Sequence, residues 1–409
     1  MLAWMRLPVS FEDVTAAAER IEAYVVQTPV AEAASLEERT GARVWLKLET
    51  RQRTGSFKDR GAANRMLQLS AAERAKGVIA MSAGNHAQAV AYQGTRLGVP
   101  TTIVMPETTP FTKVRRTEHF GARIVLSGEG LADAGVRAGE IAANEDLTLV
   151  HPYDDERIVA GQGTTGLEFL RAVPELDVLL VPVGGGGLIS GVAVVAKHLK
   201  PSIEIVGVQT EQYPTLYRIL TGLEPVHGAL TIAEGIAVKS IGEIPLAILR
   251  EYVGEVILVS EESIEFAIHL LLEDEKLLAE GAGAAGVAAL LQHAGRFRGR
   301  NVGIVLCGGN IDTGLLANVI VRHRLREGRV VRMRVTIDDK PGVLAEVAQI
   351  LGDSGANILD VAHQRLSLEV PSKKAELDVT VETRSPSDLE RIVAKLHETG
   401  YSTSILETR

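Results

Sequence analysis

The first 320 residues alternate between two kinds of segment, and few folds accept that alternation. Residues 43–49, 101–106, 122–126, 178–183, 203–208 and 302–306 are short apolar runs bounded largely by Gly or Pro. Between them lie Ala-rich amphipathic stretches such as 87–97, 131–143 and 188–199. Strands this apolar, interleaved with helices, predict an α/β fold with buried parallel sheets and helices on both faces. In such folds ligands bind beyond the carboxyl ends of the strands.

The pattern stops at a basic stretch, residues 321–330, read as the end of a helix plus a linker. Residues 331–409 have a different grammar, βαββαβ, which predicts a ferredoxin-like α+β unit. Its strands are expected at 331–337, 357–366, 376–382 and 401–406. One helix buries Val343, Leu344, Val347, Ile350 and Leu351. The second starts from Ser387 as N-cap and turns Leu389, Ile392, Val393 and Leu396 inward.

Charge and cysteine usage remove whole classes of function. The net charge is −9, a poor basis for non-specific nucleic-acid binding. A single Cys excludes a Cys-rich zinc module or an intrachain disulfide framework. The start, Met1 to Pro8, does not read as a signal segment, and no apolar run is long enough to cross a bilayer. The expected compartment is the cytoplasm, and no metal ligand set is expected.

Of the 40 glycines, two clusters form loops that follow expected strands. Gly184, Gly185, Gly186 and Gly187 lie between an apolar strand and a helix beginning near Leu188. Backbone N–H groups there can converge on a phosphate at the positive end of the helix. The spacing is neither G-x-G-x-x-G nor a nucleotide P-loop. A tight turn with close helix–sheet packing is the bland alternative. Cys307 ends another apolar strand before Gly-Gly-Asn310, and a lone Cys is also a common buried apolar residue. In Gly55-Ser-Phe-Lys-Asp-Arg-Gly61, Lys58 sits at a helix start, where a cation is disfavoured. A lysine near a phosphate cradle suggests pyridoxal phosphate, although Lys58 could simply be exposed. Ser82-Ala-Gly-Asn-His86 opens an Ala-rich helix. Ser82 can cap that helix, and its first N–H groups would suit a carboxylate.

Together these segments resemble the fold type II pyridoxal-phosphate enzymes, a two-lobed, tryptophan synthase beta-like architecture. The likeness is specifically to the threonine/serine dehydratases. Residues 151–155 and 161–164 also look like that family. Residues 331–409 resemble an ACT domain, through Asp339-Lys-Pro-Gly-Val-Leu344 and Gly355-Ala-Asn-Ile358. The whole chain is similar to threonine ammonia-lyases with one C-terminal ACT domain. That likeness places the smaller lobe at roughly 50–150 within a 1–320 catalytic domain.

The resemblance implies roles. Lys58 links covalently to pyridoxal 5′-phosphate and then takes the substrate Cα proton, with Phe57 beside the ring. Asn85 meets the cofactor's phenolic oxygen, Gly184 to Gly187 with Leu188 hold the phosphate, and Cys307 faces the pyridine nitrogen. Ser82, Ala83, Gly84, Asn85 and His86 grip the substrate carboxylate. A neutral thiol cannot keep the pyridine protonated as a carboxylate would, which favours elimination over transamination or racemisation. Ala83 stands where racemases of this fold carry a second Ser, and Gln209 stands where relatives carry a carboxylate cation ligand. The implied reaction is β-elimination from L-threonine, and from L-serine, to a 2-oxo acid and ammonia, with a place in isoleucine biosynthesis.

The resemblance also implies that the ACT unit binds isoleucine or valine as effector through Gly355, Asn357 and Ile358, in a homodimer or homotetramer. A purely oligomerising role is its alternative. For the chain as a whole, the rivals are a serine dehydratase/racemase-like enzyme, a 3-hydroxyaspartate ammonia-lyase, or a non-catalytic amino-acid-sensing protein.

Overall fold

The computed structural model describes residues 7–228, 230–365 and 371–406. The chain divides into two compact units, Met1–Ile311 and Asp312–Arg409.

The first unit holds two sheets. The larger runs β1 (Val30–Glu32), β2 (Arg43–Leu48), β10 (Asn301–Leu306), β7 (Val178–Pro182), β8 (Glu204–Thr210) and β9 (Glu255–Val259). Every neighbouring pair is parallel except the edge pair β1–β2. The smaller sheet, β5 (Arg123–Leu126), β4 (Thr101–Met105), β3 (Val78–Met81) and β6 (Thr148–Leu149), is wholly parallel. β7 and β10 are buried throughout apart from Asn301, as the apolar runs require. Strands β1, β3, β6 and β9 had no separate sequence expectation: they run from two to five residues, too short for a period to show. Helices Glu156–Ala172 and Gly187–Leu199 pack against each other. They meet backbone to backbone where Gly163 faces Gly191: a Cβ on Gly191 would overlap the Gly163 amide.

A closed ionic cluster lies in this unit's core. Arg60 donates to Glu49 through Nε and Nη2, both at 2.8 Å, and to Glu168 at 2.7 and 2.8 Å. Lys47 donates to Glu168 at 2.6 Å and to the Thr28 carbonyl at 2.6 Å. Arg60, Lys47 and Glu49 are fully buried. Burial works to raise the Glu49 pKa, but Arg60 holds it below the ordinary carboxylate range. Two cations and two carboxylates compensate one another, which is how charge survives in a core.

The second unit opens with the helix Thr313–Arg326, whose last turn carries His323, Arg324 and Arg326. Cations suit a helix C-terminus. Residues 321–326 therefore finish a helix, and the connector before β11 is 327–329, not the whole of 321–330. β11 (Val330–Asp338), β12 (Asn357–Gln364), β13 (Lys374–Glu382) and β14 (Ser402–Ile405) form an antiparallel sheet in the order β12-β13-β11-β14. Met333, Val335, Leu377 and Val379 pack with Val347, Leu351, Ile392 and Leu396 of its two helices. The second helix, Pro386–Glu398, has Ser385 rather than Ser387 as N-cap. Proline fits the first helical position because its missing N–H would have no partner there. The expected strand end at Leu366 lies outside the described residues.

Candidate active site

Lys58 is the first residue of the helix Lys58–Leu67, after Phe57 as N-cap. The turn before it is tied down from several sides. Asp59 accepts from the Thr54 amide at 3.1 Å and from the Thr54 hydroxyl. The Phe57 amide donates to the Cys307 carbonyl at 3.0 Å, and Ser56 forms a β-bridge with Gly308. Gly55, at φ +75°, passes close to Asn310. The lysine turn and the loop leaving β10 are thus one assembly.

The Lys58 Nζ donates to the Pro152 carbonyl at 2.7 Å and lies 5.1 Å from the Phe57 ring centre. No ion pair to it occurs among the described residues. The residue as a whole is partly exposed, but burial of its amine lowers the pKa to about 8. An enclosed amine without a carboxylate partner has a sizeable neutral, nucleophilic fraction near neutral pH. Cys307 is buried, and that burial pushes its thiol up, so it stays neutral.

The glycine loop leads into the helix Gly187–Leu199, with Gly186 as N-cap at φ +96°. A Cβ on Gly185 would overlap the Tyr153 ring, and one on Gly186 would lie 2.7 Å from the Pro245 Cβ. Packing therefore demands glycine here, which is what the tight-turn reading expects. The first N–H groups of the helix beginning at Gly187 and Leu188 lack intrahelical partners and face the loop end.

The segment after β3 differs in one respect from expectation. Ser82 does not cap the following helix, Asn85–Leu97; Gly84 is its N-cap residue. The Ser82 hydroxyl instead accepts from the Gly84 amide at 3.1 Å and closes a tight turn, since it lies too many residues ahead of the helix. His86 is buried, with Nε2 2.9 Å from the Val150 carbonyl, and burial lowers its pKa to about 3. Its ring is thus neutral and turned into the core. At the helix start, the Asn85 amide donates to Glu280 at 2.7 Å, and Asn310 donates to Asn85 Oδ1 at 2.8 Å and to the Thr54 carbonyl at 2.7 Å. Burial raises the Glu280 carboxyl to about 6. Sequence reasoning assigned no role to Glu280, and an isolated acid before a Gly-Ala helix gives little signal. It placed Tyr153 in the 151–155 segment but gave it no role, because its contact with Gly185 spans 32 residues of sequence.

Lys58, Phe57, Asn85 and Cys307 are thus linked in one network, whereas Gly355, Asn357 and Ile358 belong to the other unit. There Gly355 is exposed at φ +82°, and Asn357 opens β12 with its amide 3.3 Å from Glu382. Gln209 donates to the Val183 carbonyl at 3.2 Å and accepts from the Tyr217 amide at 3.1 Å, so its amide is used within the fold.

The sequence profile described as "Pyridoxal-phosphate dependent enzyme" matches residues 21–308, and that described as "ACT domain" matches residues 326–401. The chain belongs to the pyridoxal-phosphate-dependent enzyme family. It is 41% identical over 400 residues to the L-threonine ammonia-lyase of Thermotoga maritima, covering 97% of this chain and 100% of that relative. Among solved structures, the processed form of threonine deaminase isoform 2 from Solanum lycopersicum is 32% identical with a TM-score of 0.71, covering 77% of this chain and 94% of the other. The serine racemase of Dictyostelium discoideum is 34% identical with a TM-score of 0.70, covering 75% and 99%.

Pyridoxal phosphate is the cofactor of this family, and the residues present fit it. Among the described residues the enclosed Lys58 amine has no counter-ion, and the buried Ser56 hydroxyl, two residues away, has no hydrogen-bond partner. Gly185→Ala should weaken non-covalent binding of pyridoxamine phosphate by about 1–3 kcal/mol, the usual cost of forcing a methyl into a packed site. Titration of tryptophan or cofactor fluorescence measures it.

Proposed function

We propose that this chain is an L-threonine ammonia-lyase, converting L-threonine to 2-oxobutanoate and ammonia and accepting L-serine as well. The observation that carries this reading is the uncompensated Lys58 amine, enclosed beside Phe57 and joined through its turn to Cys307 and Asn310. When bound, pyridoxal phosphate supplies an electron-withdrawing ring that weakens the Cα–H bond of an attached amino acid.

The chain's own residues do the rest. Lys58 holds the cofactor, and as a free amine takes the Cα proton, since a pKa near 8 leaves it a working base at neutral pH. Phe57 flanks the ring. Gly184, Gly185, Gly186, Gly187 and Leu188 offer backbone N–H groups to the phosphate. Asn85, oriented by Glu280 and Asn310, is left to face the phenolic oxygen. Cys307, a neutral thiol, leaves the pyridine nitrogen without a counter-charge. The loop Ser82, Ala83, Gly84, Asn85 and His86 grips the substrate carboxylate through the backbone amides of Ala83, Asn85 and His86, while the Ser82 amide is held by the Val104 carbonyl and the Gly84 amide by the Ser82 hydroxyl. Ala83 has no exchangeable side-chain proton for delivery to a second face, which supports elimination over racemisation. The test incubates the purified, cofactor-loaded chain with L-threonine and with L-serine. We expect 2-oxobutanoate and pyruvate with equimolar ammonia and no build-up of D-serine. Absence of 2-oxo acid from both substrates sinks the reading, and accumulating D-serine replaces it by the racemase.

In the same reading the chain is a cytoplasmic homo-oligomer whose ACT unit, 331–409, binds isoleucine or valine through Gly355, Asn357 and Ile358. Isoleucine or valine should then shift the threonine saturation curve of the full chain, and Gly355→Val should abolish that shift with little change in the effector-free rate. A curve indifferent to both amino acids leaves the unit an oligomerising one.

A further inference from the structure

We propose that His151 is a positioning residue for Lys58: its Nδ1 closes the turn that carries the Pro152 carbonyl, and that carbonyl fixes where the free lysine amine sits. The inference rests on the reading of Lys58 given above.

The carbonyl belongs to His151-Pro-Tyr-Asp154, a connection between β6 and the helix Glu156–Ala172. His151 Nδ1 accepts from the Asp154 amide at 2.7 Å and more weakly from the Tyr153 amide at 3.4 Å. The side chain thus does what a carbonyl does in an ordinary β-turn. Its ring meets Tyr153 edge-on, with centres 4.8 Å apart. The rest of the segment is anchored elsewhere. Tyr153 packs on Gly185. Asp154 accepts from the Glu243 and Ile244 amides at 3.1 and 2.9 Å. Asp155 caps its own helix and pairs with Arg65 at 3.0 Å. Those anchors fix the flanks, and the orientation of the Pro152 carbonyl between them is left to the turn that His151 closes.

Nδ1 accepts only while the ring is neutral with its proton on Nε2. Asp154 and Asp155 favour the protonated ring, while burial and the Lys58 charge oppose it; His86, close by, is itself neutral. Burial is the largest of these influences and the pKa lies below the ordinary histidine value. The turn is therefore closed at neutral pH and opens on acidification.

The test follows covalent capture of pyridoxal phosphate by the cofactor-stripped full-length chain, read from the absorbance of the lysine linkage. Pyridoxamine phosphate, which cannot condense with lysine, reports the cradle alone. His151→Leu should slow capture by about tenfold or more and lower kcat of the holoenzyme with a KM change under about threefold. His151→Asn, whose Oδ1 can take the Nδ1 place without titrating, should restore capture to within about threefold of wild type. Pyridoxamine phosphate affinity should vary by less than about twofold across all three.

Capture by His151→Leu at the wild-type rate overturns the proposal. A parallel loss of pyridoxamine phosphate affinity also overturns it, since His151 would then be merely structural. Should His151→Leu not fold, the ratio of His151→Asn to wild-type capture decides. It should rise as pH falls from about 7.5 to the point at which an NMR titration shows the His151 ring protonated, and a ratio constant over that span rejects the proposal. Failure of wild-type Lys58 to capture cofactor at all would instead reject the reading of Lys58, so the two failures are distinct.

Discussion

Lys58→Ala should lower turnover by at least about a thousandfold, because the same amine both anchors the cofactor and moves the Cα proton, and proton transfer alone contributes about 10²–10⁴. The purified variant should also lack the visible absorbance of a lysine-linked cofactor. The fold should survive. The substitution leaves the Pro152 carbonyl without its donor, which costs about 1–3 kcal/mol, but it also removes a poorly solvated amine whose pKa is depressed to about 8. Thermal melting of the cofactor-free chain should therefore move by no more than about 5 °C. Turnover within about tenfold of wild type would show that another group takes the proton.

Arg60→Met should be the most destabilising single change in the first unit, by about 3–5 kcal/mol, the usual consequence of removing one partner from a buried charge pair. It strands the fully buried Glu49, left with the Thr28 hydroxyl at 2.6 Å, Gln52 at 3.2 Å and Lys47 at 4.0 Å. The pH dependence has a definite sign. In wild type, Glu49 has a folded pKa below its unfolded value, so its pairing stabilises the protein above the ordinary carboxylate range. That contribution is lost as pH falls through the folded pKa. In the variant only Lys47 and the Thr28 and Gln52 hydrogen bonds still oppose burial, and the carboxyl takes up its proton more readily than in wild type. Because the unfolded state is common to both, the stability gap between the two should be widest near neutrality, begin to shrink as pH falls through the variant's higher Glu49 pKa, and go on shrinking until the wild-type folded value is passed. Denaturant unfolding at three pH values measures it; a gap independent of pH would mean that lost packing, not lost charge, is responsible. Arg60 lies two residues after Lys58, so the variant should also lower cofactor occupancy.

Much of the site was legible because its parts are local. The Lys58 turn, the glycine run and the Ser82 to His86 loop are each written in a few consecutive residues, and each follows a strand. β7, β8 and β10 were visible as apolar runs because both of their faces are covered. β1, β3, β6 and β9 were not. Pairing rather than periodicity makes β6, only two residues long, into a strand: it sits beside β3 in parallel register. Helix ends were the least legible. Ser387 looked like a cap until Pro386 took the first helical position. Ser82 looked like one until its hydroxyl turned to the Gly84 amide.

The sequence alone determined which residues could do chemistry: a lysine between glycines, four glycines before a helix, one cysteine at a strand end. It also determined the change of grammar after residue 330. What it left open was which of them meet. Only the tertiary structure joined Asn310 to Asn85 across 225 residues, Glu280 to Asn85 across 195, and Lys58 to Pro152 across 94. Only there did Tyr153 come to lie on Gly185. The physical reason is that a hydrogen bond between distant segments leaves no periodicity in either of them. Its geometry is set by the sheets that carry the two ends, and those sheets are the product of the whole fold.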